Sequence, residues 1–210
     1  MEGPRALLLD AMGTLIGLRQ SVGRTYAEAA AAHGLAVSAH AIDAVFPRLY
    51  RQAPPLAFPH LSGTALLDAE RQWWGERIEA ALQATGAGQA PLALQRHLFE
   101  RFRDPALWKV YDDVLPSLER WRRRGLRLAV VSNFDSRLHQ LLVDLGLGAQ
   151  LDAVVISSEV GAAKPSPRPF QIALERLGVS ADQAWHLGDS PEDGQGATAA
   201  GMAWVQVQRP

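Results

Sequence analysis

Two acidic side chains follow short apolar runs of this sequence, and a third lies close behind one of them. Asp10 comes directly after residues 6–9, and Asp189 follows residues 184–187 and one glycine, with Asp193 four positions further on. Carboxylate oxygens are the ligands that a hard divalent cation such as Mg²⁺ prefers. The sequence therefore predicts a magnesium site, in which Asp10 is also placed to act as a nucleophile.

A second group of side chains is suited to an anion. Ser132 and Asn133 supply a hydroxyl and an amide at the start of a helical pattern, where free backbone N–H groups favour negative charge. Lys164 adds a positive charge in the segment Gly-Ala-Ala-Lys-Pro. Ser132, Asn133 and Lys164 are thus candidates to bind a phosphate beside the metal.

Apolar runs alternating with helical patterns must position these groups. Each run is apolar throughout, which is typical of strands buried on both faces of a parallel sheet that is covered by helices. The carboxyl ends of parallel strands lie at one edge, so side chains far apart in sequence meet there. The sequence predicts a doubly wound α/β fold, with strands at residues 6–9, 126–131, 151–156, 184–187 and 203–207 and helices at 114–124, 136–145, 167–177 and 196–200.

The segment between the first strand and the rest of the sheet has a different pattern. Its apolar residues recur at helical spacing, and no run in it resembles a strand. We predict a small helical cap domain at residues 19–105, with helices at 22–33, 39–52, 65–85 and 92–102, and a core domain at residues 1–18 and 106–210. An insertion at this point is expected over the carboxyl ends of the strands, where open α/β sheets bind ligands.

Composition excludes several classes of protein. The formal net charge is −1 and the arginines are scattered among acids, so the sequence lacks the basic patch that nucleic-acid binding requires. It contains no cysteine, which excludes disulfides and thiolate catalysis. The first apolar run is too short for a signal peptide or a membrane span. We expect a cytoplasmic protein that binds neither nucleic acid nor membrane.

Four segments, in this order, resemble the motifs of the haloacid dehalogenase superfamily. They are residues 7–15 (LLLDAMGTL), 130–133 (VVSN), 163–165 (AKP) and 187–197 (LGDSPEDGQGA). Each is weak alone, but four in order on suitable elements are specific. The helical insertion is similar to the cap that many members carry after the first motif, so the resemblance covers nearly the whole chain.

The resemblance implies a mechanism. Asp10 would attack a small phosphorylated molecule and form an aspartyl intermediate that water hydrolyses. Ser132 and Lys164 would hold the phosphoryl oxygens, and Lys164 would also restrain the carboxylates. Asp189, Asp10 and the backbone carbonyl of Met12 would bind Mg²⁺.

The first motif departs from the phosphatase pattern at Met12. Phosphatases of this superfamily carry an aspartate at that position, which protonates the leaving group and later activates water. Methionine keeps the backbone carbonyl but transfers no proton, so metal binding is expected to survive while acid–base help, commonly about 10²–10⁴-fold, is lost. Met12 therefore leaves two hypotheses open: a weak phosphatase, or a catalytically impaired homologue that binds a ligand or a partner.

The fourth motif is one residue shorter than the family pattern. Gly194 holds the place of the second acid, so Asp193, Glu192 or neither serves as that acid. The 2-haloacid dehalogenases also lack the acid at the position of Met12, but they work without metal and lack the Gly-Asp-Ser type of fourth motif. Asp189 therefore favours a metal-dependent hydrolase over a metal-independent dehalogenase.

Overall fold

A parallel sheet lies at the centre of the structure, a computed structural model that describes residues 3–209. Its strands follow the order β5-β4-β1-β6-β7, and every neighbouring pair is parallel. Two further short strands, β2 and β3, form a separate two-stranded sheet. The strands are β1 (Ala6–Leu9), β2 (Ile16–Leu18), β3 (Trp108–Val110), β4 (Arg127–Ser132), β5 (Ala153–Ile156), β6 (Ala184–Gly188) and β7 (Ala203–Gln206).

Helices follow the strands of the sheet and also fill the insertion. The doubly wound α/β fold predicted from the sequence is confirmed. The helices are α1 (Val22–Ala32), α2 (Ala39–Gln52), α3 (Gly63–Ala84), α4 (Leu92–Arg101), α5 (Val114–Arg123), α6 (Arg137–Asp144), α7 (Ser157–Val160), α8 (Arg168–Leu177) and α9 (Pro191–Ala199). Among residues 3–209, none of these helices has the length and apolarity that crossing a bilayer requires.

The central strand β1 is buried on both faces, as its continuous apolar sequence predicts. Ala6 and Leu8 pack in one cluster with Phe170 of α8 and Ala197 of α9. The alternate residues of the strand are buried as well. Burial of both faces fixes the strand, and so fixes the position of the residue that follows it.

The chain divides into two compact units. The core unit comprises Met1–Gly17, Leu56–Ser62 and Lys109–Pro210, and the helical unit comprises Leu18–Pro55 and Gly63–Trp108. The segment Leu56–Ser62, which the predicted boundaries place in the insertion, groups with the core unit. Of the residues predicted for the core domain, Met1, Glu2 and Pro210 lie outside the described part of the chain.

The segment Leu56–Ser62 is tied to the core unit by hydrogen bonds. The hydroxyl of Ser157 donates to the carbonyl of Leu56 at 2.7 Å, and the backbone N–H of Phe58 donates to the carbonyl of Ser158 at 3.2 Å. Both serines belong to the single-turn helix α7. These contacts explain why a piece of the insertion belongs to the core unit.

The helical unit has its own apolar core. Tyr26 of α1, Ile42 of α2, Ile78 of α3 and Leu94 of α4 are buried together. These helices carry apolar residues at the three- and four-residue spacing that places them on one face.

Candidate active site

The order of the strands brings the predicted site residues together in the core unit. β1 lies between β4 and β6, so Asp10 after β1 adjoins Ser132 at the end of β4 and Asp189 after β6. The backbone N–H of Asp10 donates to the carbonyl of Leu187 at 2.9 Å, which extends the pairing of β1 with β6 by one residue.

The two carboxylate oxygens of Asp10 have different surroundings. Oδ1 accepts hydrogen bonds from Lys164 Nζ at 2.6 Å and from the hydroxyl of Ser132 at 3.3 Å. None of residues 3–209 donates a hydrogen bond to Oδ2. The side chain is 8% exposed. One oxygen is therefore fixed, and the other is available to a metal or a reacting atom.

Lys164 uses all three ammonium protons within the protein. It donates to Asp10, to Asp193 Oδ1 at 2.6 Å and to the backbone carbonyl of Val131 at 3.1 Å. An ammonium group has three donors, so this set leaves none spare. Lys164 thus holds the nucleophile in place, and its predicted contact with phosphate stays a prediction.

Asn133 holds the backbone of Lys164 through both ends of its side-chain amide. Its side-chain oxygen accepts from the N–H of Lys164 at 2.7 Å, and its side-chain nitrogen donates to the carbonyl of Lys164 at 3.0 Å. The predicted binding of phosphate by Asn133 stays a prediction.

Asp193 is completely buried and accepts hydrogen bonds on both oxygens. Oδ1 accepts from Lys164 and from His186 Nε2, the latter at 2.8 Å. Oδ2 accepts from the backbone N–H and the hydroxyl of Ser190, at 3.0 and 2.7 Å, and the hydroxyl caps α9 in return. Asp193 is thus both the third helical residue of α9, paired with the N-cap Ser190 in a capping box, and the second anchor of Lys164.

Gly188 makes room for Asp193. A Cβ atom at this position of β6 would lie 2.3 Å from Cγ of Asp193, closer than any side chain tolerates. The close packing of α9 on β6 therefore requires glycine here.

Two carboxylates share one ammonium group, and their pKa values diverge. Burial raises the pKa of Asp10, although the charge of Lys164 opposes the rise. Burial also disfavours the ionised form of Asp193, but the hydrogen bond from His186 and the charge of Lys164 hold its pKa well below its usual range. For Lys164, the charges of both carboxylates outweigh burial and raise the pKa. Lys164 and Asp193 are therefore ionised at neutral pH.

Asp189 and Met12 are exposed, in contrast to Asp10. Asp189 is an exposed residue whose closest side-chain partner is the hydroxyl of Thr14, at 3.5 Å. Gly13 has a φ of +83°, a backbone conformation that favours glycine. A Cβ atom at this position would lie 2.4 Å from Asp189 Oδ2, so glycine also lets the carboxylate of Asp189 approach the backbone. The side chain of Met12 is 44% exposed.

The carboxylates of Asp10, Asp189 and Asp193 form a cluster that suits a divalent cation. Each contributes one oxygen, and these oxygens lie within 4.8 Å of one another. Hard carboxylate oxygens match the preference of Mg²⁺. Asp10 and Asp189 have oxygens free to bind it, whereas both oxygens of Asp193 already accept two hydrogen bonds each. The donor set therefore fits a cation held by Asp10 and Asp189, with the carbonyl of Met12 as the third ligand that the sequence predicts.

Sequence reasoning missed the position of His186 beneath the site. The sequence predicts that His186 is a strand residue and assigns it no contact. In the structure, His186 is a fully buried residue of β6. Alternation along the strand places His186 on the same face as Gly188, the face that contacts Asp193. That alternation is the one signal in the sequence, but the contact with Asp193 also requires the packing of α9 on β6, which the sequence does not show.

Comparison with known proteins yields one family. Residues 4–201 match the model of the haloacid dehalogenase-like hydrolases. The chain is 40% identical over 201 residues to haloacid dehalogenase-like hydrolase domain-containing protein 3 of Mus musculus, covering 94% of this chain and 79% of that protein. It is 34% identical over 180 residues to phosphoserine phosphatase of Thermus thermophilus, covering 77% of this chain and 71% of that protein.

A solved structure has the same fold. A crystal structure described as a predicted phosphoglycolate phosphatase from Haemophilus somnus 129pt superposes with a TM-score of 0.72 at 18% identity. The match covers 98% of this chain and 86% of that one. At this identity the likeness establishes the fold alone.

Proposed function

Because the chain belongs to the haloacid dehalogenase-like hydrolases, we propose that it hydrolyses a small phosphorylated molecule through an aspartyl-phosphate intermediate on Asp10. The observation that carries this proposal is the difference between the two oxygens of the Asp10 carboxylate. Lys164 and Ser132 hold one oxygen, and the other oxygen is open beside Asp189. The similarity to a phosphoserine phosphatase supports chemistry of the phosphatase type.

In this proposal the core unit orients the attacking carboxylate and neutralises charge. Lys164 fixes the rotamer of Asp10 and balances its charge, and Asp193 keeps Lys164 in place. We assign the phosphoryl oxygens to Ser132 and Asn133, as the sequence predicts. Lys164, which the sequence also predicts for this role, would contribute its positive charge, because its three protons are engaged. Phosphoryl transfer depends mostly on positioning and electrostatic stabilisation, which are what these contacts supply.

Mg²⁺ is the proposed cofactor. Asp10, Asp189 and the backbone carbonyl of Met12 would hold it, and Asp193 would act on it only indirectly, since its oxygens are engaged. When bound, the cation would neutralise the charge of the phosphoryl oxygens. Without it, Asp10 and Asp189 carry adjacent negative charges that repel an anionic substrate.

Met12 favours a second candidate function, that of a catalytically impaired homologue which binds a phosphorylated ligand or a protein partner. The side chain at this position has no proton to transfer. A metal-independent dehalogenase is a weaker alternative, because Asp189 lies within reach of Asp10 and completes a cation site. We also propose a small-molecule substrate rather than nucleic acid or membrane, on the basis of the net charge of −1, and a cytoplasmic location.

Release of inorganic phosphate from a panel of phosphorylated compounds, with and without Mg²⁺, tests the proposal. We expect release that requires Mg²⁺ and falls at least about a thousand-fold in Asp10→Asn, because the nucleophile is lost. Asp112→Asn is the matched control, since Asp112 is exposed on the same unit. It should leave the rate unchanged.

Three other results separate the alternatives. No phosphate release, together with calorimetric binding of inorganic phosphate or Mg²⁺, would favour the impaired homologue. Halide release from 2-haloacids without metal would favour the dehalogenase. A rate in Asp10→Asn equal to that of the wild type would overturn the role of Asp10.

A further inference from the structure

We infer that His186 is a positioning residue for the reaction at Asp10: it holds Asp193 so that Lys164 keeps the attacking carboxylate in one orientation. This inference rests on the proposed function, since it concerns the same site. It adds a side chain that belongs to none of the four motifs. The hydrogen-bond partner of His186 is Asp193, so its effect on catalysis passes through Asp193 and Lys164.

The direction of the hydrogen bond between His186 and Asp193 follows from the surroundings of the imidazole. His186 is fully buried, and its Nε2 lies 2.8 Å from Oδ1 of Asp193. An ionised carboxylate only accepts hydrogen bonds, so Nε2 carries the proton and donates it. Nδ1 is buried without a partner among residues 3–209. The N–H at Nε2 is therefore the group through which His186 acts on the site.

Packing fixes the orientation of the imidazole. The ring of Phe170 in α8 meets the ring of His186 edge to face, with centroids 4.8 Å apart and an interplanar angle of 86°. Phe170 is itself fully buried, and it lies against α9, where a Cβ atom at Gly196 would be 2.5 Å from it. Side chains in such close-packed surroundings keep one rotamer. The N–H of His186 is therefore held toward Asp193.

A single oxygen atom joins His186 to Lys164. Oδ1 of Asp193 accepts from His186 at 2.8 Å and from Nζ of Lys164 at 2.6 Å. The other oxygen of Asp193 accepts from Ser190. The position of Oδ1 sets one of the three directions in which the ammonium group donates. Without the N–H of His186, Lys164 alone would hold that oxygen, and the two groups could shift together.

Lys164 transmits such a shift to the nucleophile. Its Nζ donates to Oδ1 of Asp10 at 2.6 Å and to the carbonyl of Val131 at 3.1 Å. Attack on phosphorus requires the other oxygen, Oδ2, at a defined position, and a displacement of about 1 Å can lower a rate by about 10²-fold. The hydrogen bond from His186 does not reach the groups assigned to the phosphoryl oxygens. We therefore expect His186 to affect kcat more than KM.

Two amide substitutions of the same residue test the inference. His186→Gln can place its amide nitrogen near the position of Nε2, whereas the shorter side chain of His186→Asn reaches only the position of Nδ1. We expect His186→Asn to lower kcat by about 10- to 100-fold with KM within about twofold of the wild type, because the donor to Asp193 is lost. His186→Gln should recover most of kcat. Release of phosphate from 4-nitrophenyl phosphate with saturating Mg²⁺ measures both constants, at a temperature where circular dichroism shows each variant folded.

Phe170→Leu is the matched control for packing. It removes the aromatic contact with the imidazole and keeps the N–H that donates to Asp193. It should lower the urea concentration at the unfolding midpoint and leave kcat of the folded protein within about twofold of the wild type. A purely structural role of His186 predicts instead that kcat follows stability in all three variants.

Other outcomes would overturn the inference. A kcat of His186→Asn equal to that of the wild type would reject the role of His186 and leave the proposed function intact. Equal losses of kcat in His186→Asn and His186→Gln, or a similar loss in Phe170→Leu, would assign the effect to packing. A raised KM with unchanged kcat would place His186 in substrate binding. If the wild type releases no phosphate from any compound of the panel, the proposed function fails, and this inference fails with it.

Discussion

Two regions of the core unit meet at Asp10. They differ in burial and in how many of their polar atoms have hydrogen-bond partners. On one side, Lys164, Asp193 and His186 are buried, and hydrogen bonds of 2.6–2.8 Å join them to one another and to Oδ1 of Asp10. On the other side, the residues are exposed, and the nearest side-chain hydrogen bond is 3.5 Å long. We call the first region the site floor (Asp10, Lys164, Asp193 and His186) and the second the site rim (Met12 and Asp189).

The difference shows which constraint acts on each region. Removing the shared cation of a buried, paired set leaves uncompensated negative charge, so the floor is tied to folding. An exposed side chain with few contacts contributes little to stability, so the rim is free to change with the chemistry. A methionine therefore occupies the position of an acid without a cost to the fold.

The largest effect is expected for Lys164→Met, which removes the ammonium group that the two buried carboxylates share. We expect the free energy of unfolding to fall by about 3–5 kcal/mol, because Asp10 and Asp193 would lose the positive charge that they share. Urea denaturation at neutral pH measures this loss. Lys109→Met is the matched control, because Lys109 is exposed and contacts the ring of Tyr111, and it should cost about 1 kcal/mol or less. Equal losses in the two variants would contradict the comparison between floor and rim.

A smaller loss is expected for His186→Leu. The imidazole donates from Nε2 to Asp193, while its Nδ1 is buried without a partner among the described residues. Losing a hydrogen bond to a charged group while removing an unpaired atom should cost about 1–2 kcal/mol. His186→Gln offers an amide donor near the same point and should recover part of the loss. If both variants denature at the wild-type urea concentration, the floor does not extend to His186.

Asp10→Asn should raise stability, because the floor holds two carboxylates for one ammonium group. Burial raises the pKa of Asp10, so the folded state binds its proton more tightly than the unfolded state does. The ionised form of Asp10 thus costs stability at high pH, and the cost disappears as the pH falls below the unfolded value of about 3.9.

We expect Asp10→Asn to exceed the wild type by about 0.5–2 kcal/mol at pH 8 and to match it near pH 3. Urea denaturation across this pH range measures the gap. A gap that is constant with pH, or a less stable variant at pH 8, would show that Lys164 fully compensates Asp10.

The sequence predicts the sheet and the convergence of Asp10, Ser132 and Asp189 because continuous apolar runs identify buried parallel strands. It does not predict β2 and β3, since runs of three residues are too short to show a pattern. It also predicts only the end of α9, because Gly194 and Gly196 disfavour a helix. The structure explains both glycines, because a Cβ atom would lie 2.7 Å from Trp204 at Gly194 and 2.5 Å from Phe170 at Gly196. The close packing of α9 therefore requires glycine, although glycine has a low helix propensity.

Within the site, the sequence leaves open whether Asp193 is the second acid of the fourth motif. The structure shows that Asp193 pairs with the N-cap Ser190 and also anchors Lys164, because the capping turn directs the carboxylate of Asp193 into the floor. This contact depends on how α9 packs on β6, which no local pattern encodes. The link from His186 to Asp193 is hidden for the same reason.

The smallest effect is expected at the rim. Met12→Asn should change the free energy of unfolding by about 0.5 kcal/mol or less, because the side chain is exposed and no contact of the floor depends on it. Ala11→Asn provides the matched comparison: the preceding residue is fully buried, so the same new side chain should cost at least about 1–3 kcal/mol there. Thermal or urea denaturation of both variants gives the two values. A loss at Met12 as large as that at Ala11 would mean that the methionine side chain packs against the fold, which would contradict the comparison between floor and rim.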